Sequence, residues 1–325
     1  MRSLSLLLVA ITVHAPAAAA QDSPSTLPNR IGSLVHVQTI GTSESFGQVT
    51  DVSEIRTDTF AVLDAMNSSI VLYTADGAFV SEYGSRGNGP GELFAPIGLA
   101  LRRGELLVLD RGNVRILSLG LVDGALSVRG ETPLRLPSPQ GFCTVDDRLF
   151  VLGLREDRLI HELDSSGQVV RSFGDPLSND PSGGRLSAAG KLVCSPTGRL
   201  AYVARTLNRV IVFNTEGEEL WQSPIPGYVE QTYSTEGGVM RPLRPEAGFV
   251  HRIATAHWLP DDRLFIQLDR STASASPFLE SRMLDVVEGW TTPDSRWPVA
   301  LLVGRSVAVF YEEAPFPLIK MYRER

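Results

Sequence analysis

The chain has 325 residues, with 30 Lys and Arg against 37 Asp and Glu, a net charge of −7 and 43% hydrophobic residues. An acidic surface repels phosphate backbones, which argues against nucleic acid as a partner. Past the first twenty residues no apolar run is long enough to cross a bilayer, so no membrane span is expected.

Residues 1–20 open with Arg2, continue through the apolar run Leu4–Val13 and end in the small residues Ala17–Ala20. That order predicts a secretory signal peptide cleaved after Ala20, and no cysteine follows to carry a lipid anchor. The expected product is periplasmic or secreted, begins at Gln21, and has lost one Arg and no acid. Residues 21–33 are polar and read as a flexible N-terminal segment.

Leu34–Ile40 reads as a strand without a neighbour in sequence. After it one unit repeats: two short apolar runs joined by a polar turn, then a hairpin whose turn ends in glycine. The hairpins are clearest at Ile70–Tyr83, Leu159–Phe173 and Val210–Trp221, where Gly77, Gly167 and Gly217 fall where the turn calls for positive φ. The preceding pairs include Ile97–Leu101 with Leu106–Leu109, Phe142–Val145 with Leu149–Leu152, and Leu192–Cys194 with Leu200–Val203. Units centre on 50–83, 97–128, 141–173, 191–222, 253–287 and 299–322, a spacing of roughly 40 to 55 residues that suits propeller blades. The sixth unit runs out of chain near Tyr322 with three strands, and strand 34–40 can supply its fourth. The prediction is therefore all-β: one domain over 34–325, a six-bladed β-propeller of four-stranded antiparallel blades, its ring closed by the N-terminal strand. A sandwich would not require one four-strand unit to repeat, and a solenoid would not need the orphan strand.

The second unit carries the most regular motif. Gly84–Pro96 is glycine-rich and contains Glu92 and Phe94 before Pro96; Ile97–Ala100 and Glu105–Ile116 follow, with Asp110, Asn113 and Arg115 along the hairpin. This stretch resembles an NHL repeat; Asp64, Asn67 and Ile70 echo it in the first unit and Asn208–Val210 in the fourth. Asp110 and Arg115 are spaced to pair across the hairpin, and Asn113 to bond the turn, which are scaffold roles. The glycine run has no following helix and no Gly-Lys-Ser or Gly-Lys-Thr ending, so it is not a phosphate loop.

The NHL resemblance implies a binding or scaffold module, and some similar six-bladed propellers are metal-dependent lactonases or amidating lyases. The inner strands read mostly apolar or small, which argues against a channel metal, so no cofactor is expected. Asp51, Glu54, Arg252 and His257 are the inner-strand residues that can point inward, and Asp51, Glu54 and His257 form the alternative ligand set for calcium or zinc. No nucleophile motif is present, so no catalytic residue is assigned.

The long link Ser223–Gly248 breaks the regularity and mixes Tyr228, Tyr233, Met240, Arg241 and Arg244, residue types frequent at binding hot spots. It reads either as a binding loop over one mouth of the propeller or as an unstructured insertion. The first reading makes Tyr228, Tyr233, Arg241, Arg244, Glu92, Phe94, His251 and Arg252 the candidate contacts for a protein, peptide or glycan partner of a monomeric propeller. Cys143 and Cys194 occupy the same position in consecutive units, so a disulfide between blades and two separate buried thiols both remain open.

Overall fold

The computed structural model describes residues 34–41, 45–177, 188–205, 207–234, 241–271, 279–292, 298–303, 307–312 and 317–324. The predicted signal peptide, the 21–33 segment and most of the second long link lie outside them.

Blade 1 is the meander of β2 (Val49–Arg56), β3 (Thr59–Asp64), β4 (Ser69–Thr74) and β5 (Phe79–Tyr83), and blade 2 comprises β6 (Pro96–Arg102), β7 (Glu105–Asp110), β8 (Arg115–Val122) and β9 (Ala125–Pro133). Blade 3 holds β10 (Gly141–Val145), β11 (Arg148–Arg155), β12 (Arg158–Leu163) and β13 (Val169–Phe173). Blade 4 holds β14 (Gly190–Cys194), β15 (Arg199–Ala204), β16 (Val210–Asn214) and β17 (Glu219–Ser223). A short hairpin of β18 (Tyr233–Ser234) and β19 (Arg241–Pro242) precedes blade 5, formed by β20 (Val250–Trp258), β21 (Leu264–Ser271), β22 (Glu280–Asp285) and β23 (Gly289–Thr291). In blade 6, β24 (Val299–Val303), β25 (Val307–Glu312) and β26 (Leu318–Glu324) are completed by β1 (Leu34–Ile40), which pairs antiparallel with β26 from Leu34↔Glu324 to Ile40↔Ile319.

The first strand of each blade touches the first strand of the next, and β24 touches β2, so the six inner strands close a ring around a central channel. The cores lie between blades. Val52, Phe60, Val62 and Val71 of blade 1 pack on Val309 and Met321 of blade 6, and Phe150, Leu152 and Ile160 of blade 3 pack on Leu200 and Tyr202 of blade 4. Second strands are buried on both faces because each stands between two neighbouring sheets, which is why they read as unbroken apolar runs such as Ala61–Leu63 and Leu106–Leu109.

The turn device between third and fourth strands is the same in three blades. Gly77, Gly167 and Gly217 have φ of 85, 78 and 86°, and each donates its N–H to the carbonyl three residues back. The residue there, Thr74, Asp164 or Asn214, also accepts backbone N–H groups through its side chain, so one side chain and one glycine define each hairpin. The motif of blade 2 is likewise structural. Asp110, fully buried, accepts from Phe94 N at 2.7 Å, Asn113 Nδ2 at 2.7 Å and Arg115 Nε at 2.9 Å, and Arg115 donates onward to the Glu92 carbonyl at 2.7 Å. Asp64 does the same work in blade 1, accepting from Gly47, Gln48, Met66 and Asn67. Both carboxylates tie the link that enters a blade to the end of its second strand.

Candidate functional site

The inner strands present their free edge to the channel, so their backbone groups need partners that the blade itself does not supply. Side chains from neighbouring blades provide several. Thr144 donates to the Leu101 carbonyl at 2.8 Å and Trp258 Nε1 to the Val193 carbonyl at 3.1 Å. Asp51 accepts from its neighbour Val52 N at 2.9 Å through one oxygen and from Leu99 N of blade 2 at 2.8 Å through the other.

Between these edges lies a cavity of about 310 Å³ lined by all six inner strands. Asp51, Gly98, Gly141, Lys191 and Thr255 occupy one level of it, since they pair with Leu63, Leu109, Leu152, Val203 and Gln267, corresponding positions of the second strands. In β2, β6 and β20 the preceding residue is a bulge, which re-aims the side chain that follows. Asp51 and Lys191 stand in blades 1 and 4, opposite each other in a ring of six, while the glycines of blades 2 and 3 leave the space between them open.

His257, one alternation further along β20, lines the cavity next to this level. Its Nε2 lies 2.8 Å from the Ala300 carbonyl and 2.7 Å from Thr255 Oγ1. A carbonyl only accepts, so Nε2 carries the proton and Nδ1 is left as an acceptor. Burial pushes His257 down to about 4, so it is neutral over the physiological range. Burial pushes Asp51 up to about 6, against the lowering pull of the Leu99 N–H and the Lys191 charge. Lys191 is walled in by the channel although its own surface stays accessible within it. Burial holds it below the usual lysine range, with Asp51 opposing that shift and Arg205 adding to it.

The two titrating groups predict opposite stability slopes. Asp51 binds its proton more tightly folded than unfolded, so its contribution is fully present below its ordinary value of 3.8 and is lost as pH rises through about 6. His257 binds its proton less tightly folded, so its contribution is full above 6.5 and is lost as pH falls through about 4. Between these limits the slopes offset, each about 1.4 kcal/mol per pH unit. His257→Gln, whose amide can still donate to the Ala300 carbonyl, removes one of them. Thermal melts from pH 6 to 4 should show this variant losing less stability on acidification than the parent does; parallel curves would refute the assignment.

The structure separates the predicted residues. Asp51 and His257 line the channel, and Glu54 and Arg252 are not among its lining. Glu54 thus stands apart from Asp51 and His257, the Asp51 oxygens each accept a backbone N–H, the His257 Nε2 proton is turned to the Ala300 carbonyl, and among the described residues no three His, Cys, Asp or Glu side chains are grouped to hold a metal ion. Cys143 and Cys194 form a disulfide that joins β10 to β14, with Cα atoms 5.6 Å apart, and both line the cavity beside Lys191.

Two candidate contacts of the long link are anchors rather than contact surface. Tyr228 is 8% exposed and packs beside Ile225 and Ile253, with its hydroxyl 2.9 Å from the His251 carbonyl and 3.1 Å from that of Arg205. His251 is 3% exposed and accepts the Val229 N–H on Nδ1 at 2.8 Å. An aromatic ring and an imidazole among loop residues look alike in sequence whether they face solvent or pin the loop down. Tyr233 is half-buried in the hairpin, and Arg241, Leu243, Arg244 and Arg252 are exposed. Glu92 turns inward onto Gly89 N at 2.7 Å, so it caps its own loop instead of facing a partner, while exposed Phe94 carries Arg86 over its ring at 5.6 Å.

Lys191 was not among the inward candidates, and the sequence held a signal for it: the chain has only two lysines, Lys191 and Lys320, among its 30 basic residues.

Known proteins share this fold at low identity. Virginiamycin B lyase from Staphylococcus aureus superposes with a TM-score of 0.53 at 13% identity, over 88% of this chain and 98% of the lyase. A putative exported protein from Bacteroides fragilis gives 0.55 at 13% identity over 90% and 94%, and U3-55K gives 0.53 at 11% over 90% and 98%. No curated protein matches by sequence. At these identities the likeness is one of fold alone, and a family model described as a 6-bladed beta-propeller matches residues 38–152.

Proposed function

We propose that the chain is an exported NHL-type propeller that acts as a binding module, receiving a protein, peptide or glycan at the end where the 223–250 link folds over the junction of blades 4 and 5. The observation that carries this reading is the polar cavity at the centre, whose level of Asp51, Lys191 and Thr255 lies within the first two-thirds of inner strands that start at that end. Tyr228 pins the link to the Arg205 carbonyl, and Arg205 is near enough to act on Lys191, so link and cavity belong to one surface. Exposed Arg241, Arg244 and Arg252 give it a basic rim on an acidic chain, suited to an anionic partner.

Replacing residues 234–241 by Asn-Gly shortens the hairpin between paired Tyr233 and Pro242 and keeps both anchors. Binding on peptide and glycan arrays should fall by about tenfold or more with the circular dichroism unchanged. Unaltered binding would place the partner elsewhere on the ring.

A second reading is favoured by one observation: Asp51 and His257 face one cavity with proton affinities shifted in opposite directions, so that the carboxyl holds its proton more tightly than the imidazole does. It makes the channel a hydrolase or lyase site, with Asp51 exchanging the proton. Turnover on a lactone and peptide-amide panel that disappears in Asp51→Asn would support it.

A further inference from the structure

Lys191 stands apart from the other cations of the chain. Basic residues here are almost all arginine, and the second lysine, Lys320, is paired with Glu312 at 2.8 Å. Lys191 has no hydrogen bond or ion pair among the described residues, although channel walls surround it. Its natural counter-charge is Asp51 across the ring, but that carboxylate is held in place by the N–H groups of Val52 and Leu99 and does not come within ion-pair distance. An ammonium has three protons to donate and accepts nothing, and Lys191, exposed within the channel, offers them to whatever acceptor enters it.

The space beside it is also unusual. A Cβ on Gly141 would meet only Leu192 N at 3.8 Å, and one on Gly98 would make ordinary contacts with Phe142 at 3.5 Å and Asp51 at 3.6 Å. Neither glycine is demanded by backbone angle or close approach. Their effect is to leave the cavity open between Lys191 and Asp51, at a size suited to a small ligand or one residue of a larger one.

We propose that the channel seats a carboxylate on the Lys191 ammonium, with a hydroxyl or amide N–H of the same ligand turned toward Asp51. This rests on the channel being the binding site of the preceding section and names the group it takes. A compact ammonium suits a single carboxylate, and the Asp51 charge opposite disfavours a dianion such as phosphate. The carboxylate can belong to a free hydroxy acid or to the C-terminus of a peptide.

Two lysines make the test direct. The full chain labelled with [13C]lysine should give two side-chain signals, assigned by the loss of one in Lys191→Met. Titration with L-lactate or acetyl-glycyl-glycine should move the Lys191 signal saturably and leave Lys320 in place, whereas L-lactamide and the peptide amide should move neither. A response to lactate alone assigns a free acid, and a response to the peptide acid alone a C-terminus. Lys191→Met should weaken the acid that binds by about thirtyfold or more, with Lys191→Gln as a second variant should methionine disturb the fold. The proposal is overturned if no acid moves Lys191, if the amides move it equally, or if both lysines shift together as with ionic strength. Array binding that survives Lys191→Met but not hairpin excision would overturn the carboxylate site while leaving the binding module standing.

Discussion

Asp110→Ala should destabilise the protein by about 3–5 kcal/mol, the scale for breaking a buried ion pair from one side. Asp110 is fully buried and satisfies three donors: Phe94 N, Asn113 Nδ2 and Arg115 Nε. Its removal leaves the Arg115 guanidinium, whose side chain is 8% exposed, with only the half-exposed Glu131 as counter-charge, and orphans the Phe94 N–H that fixes the link into blade 2. Urea denaturation of Asp110→Ala beside Asp147→Ala separates this from a general loss of charge. Asp147 also pairs with arginine, Arg103, but both side chains are more than half exposed, so that variant should leave the urea midpoint close to the parent's. Equal midpoints for the two variants would sink the argument. Asp110→Leu combined with Arg115→Met should be less damaging than Asp110→Ala, because no unpaired charge is left inside.

Removing the disulfide with Cys143→Ala and Cys194→Ala should cost about 4 kcal/mol, the loop-closure entropy for a bridge spanning a sequence separation of 51 residues. The bridge joins the first strands of adjacent blades, a contact that in the rest of the ring is made without a covalent link. Denaturant midpoints measured with and without dithiothreitol test this. The parent should lose most of that stability on reduction and the double variant should not respond to the reagent. A double variant as stable as the oxidised parent would show that blades 3 and 4 are held by packing alone. Because both cysteines line the cavity beside Lys191, the reduced protein should also bind channel ligands more weakly, as β14 loses its tie to β10.

The fold was legible in sequence because its devices are local. Gly77, Gly167 and Gly217 announce hairpins through a backbone angle that other residues adopt at a cost, and Asp110, Asn113 and Arg115 lie within one hairpin, so their spacing already contains their contacts. The channel was half legible. Asp51 and His257 are titratable residues on inner strands and could be named. That Asp51 faces Lys191 across the channel depends on blades 1 and 4 being opposite, a relation that no local pattern encodes. Tyr228 and His251 were legible only as residue types: the Tyr228 hydroxyl reaches the His251 carbonyl across 23 residues, and residue type alone does not distinguish an anchor from a contact.

The pairing of Leu34 with Glu324 has a kinetic consequence. Blades 1 to 5 are made of consecutive strands and can each form as soon as their own segment is available, but blade 6 joins strands separated by nearly the whole chain. Its closure carries the largest loop entropy of any pairing in the molecule, and it cannot precede synthesis of the last strand. Until then the growing chain exposes two open edges, one on each side of the gap. Closure of blade 6 should therefore be the late step of folding, and the seam between β1 and β26 the place where an incomplete chain would pair with a second copy instead of with itself.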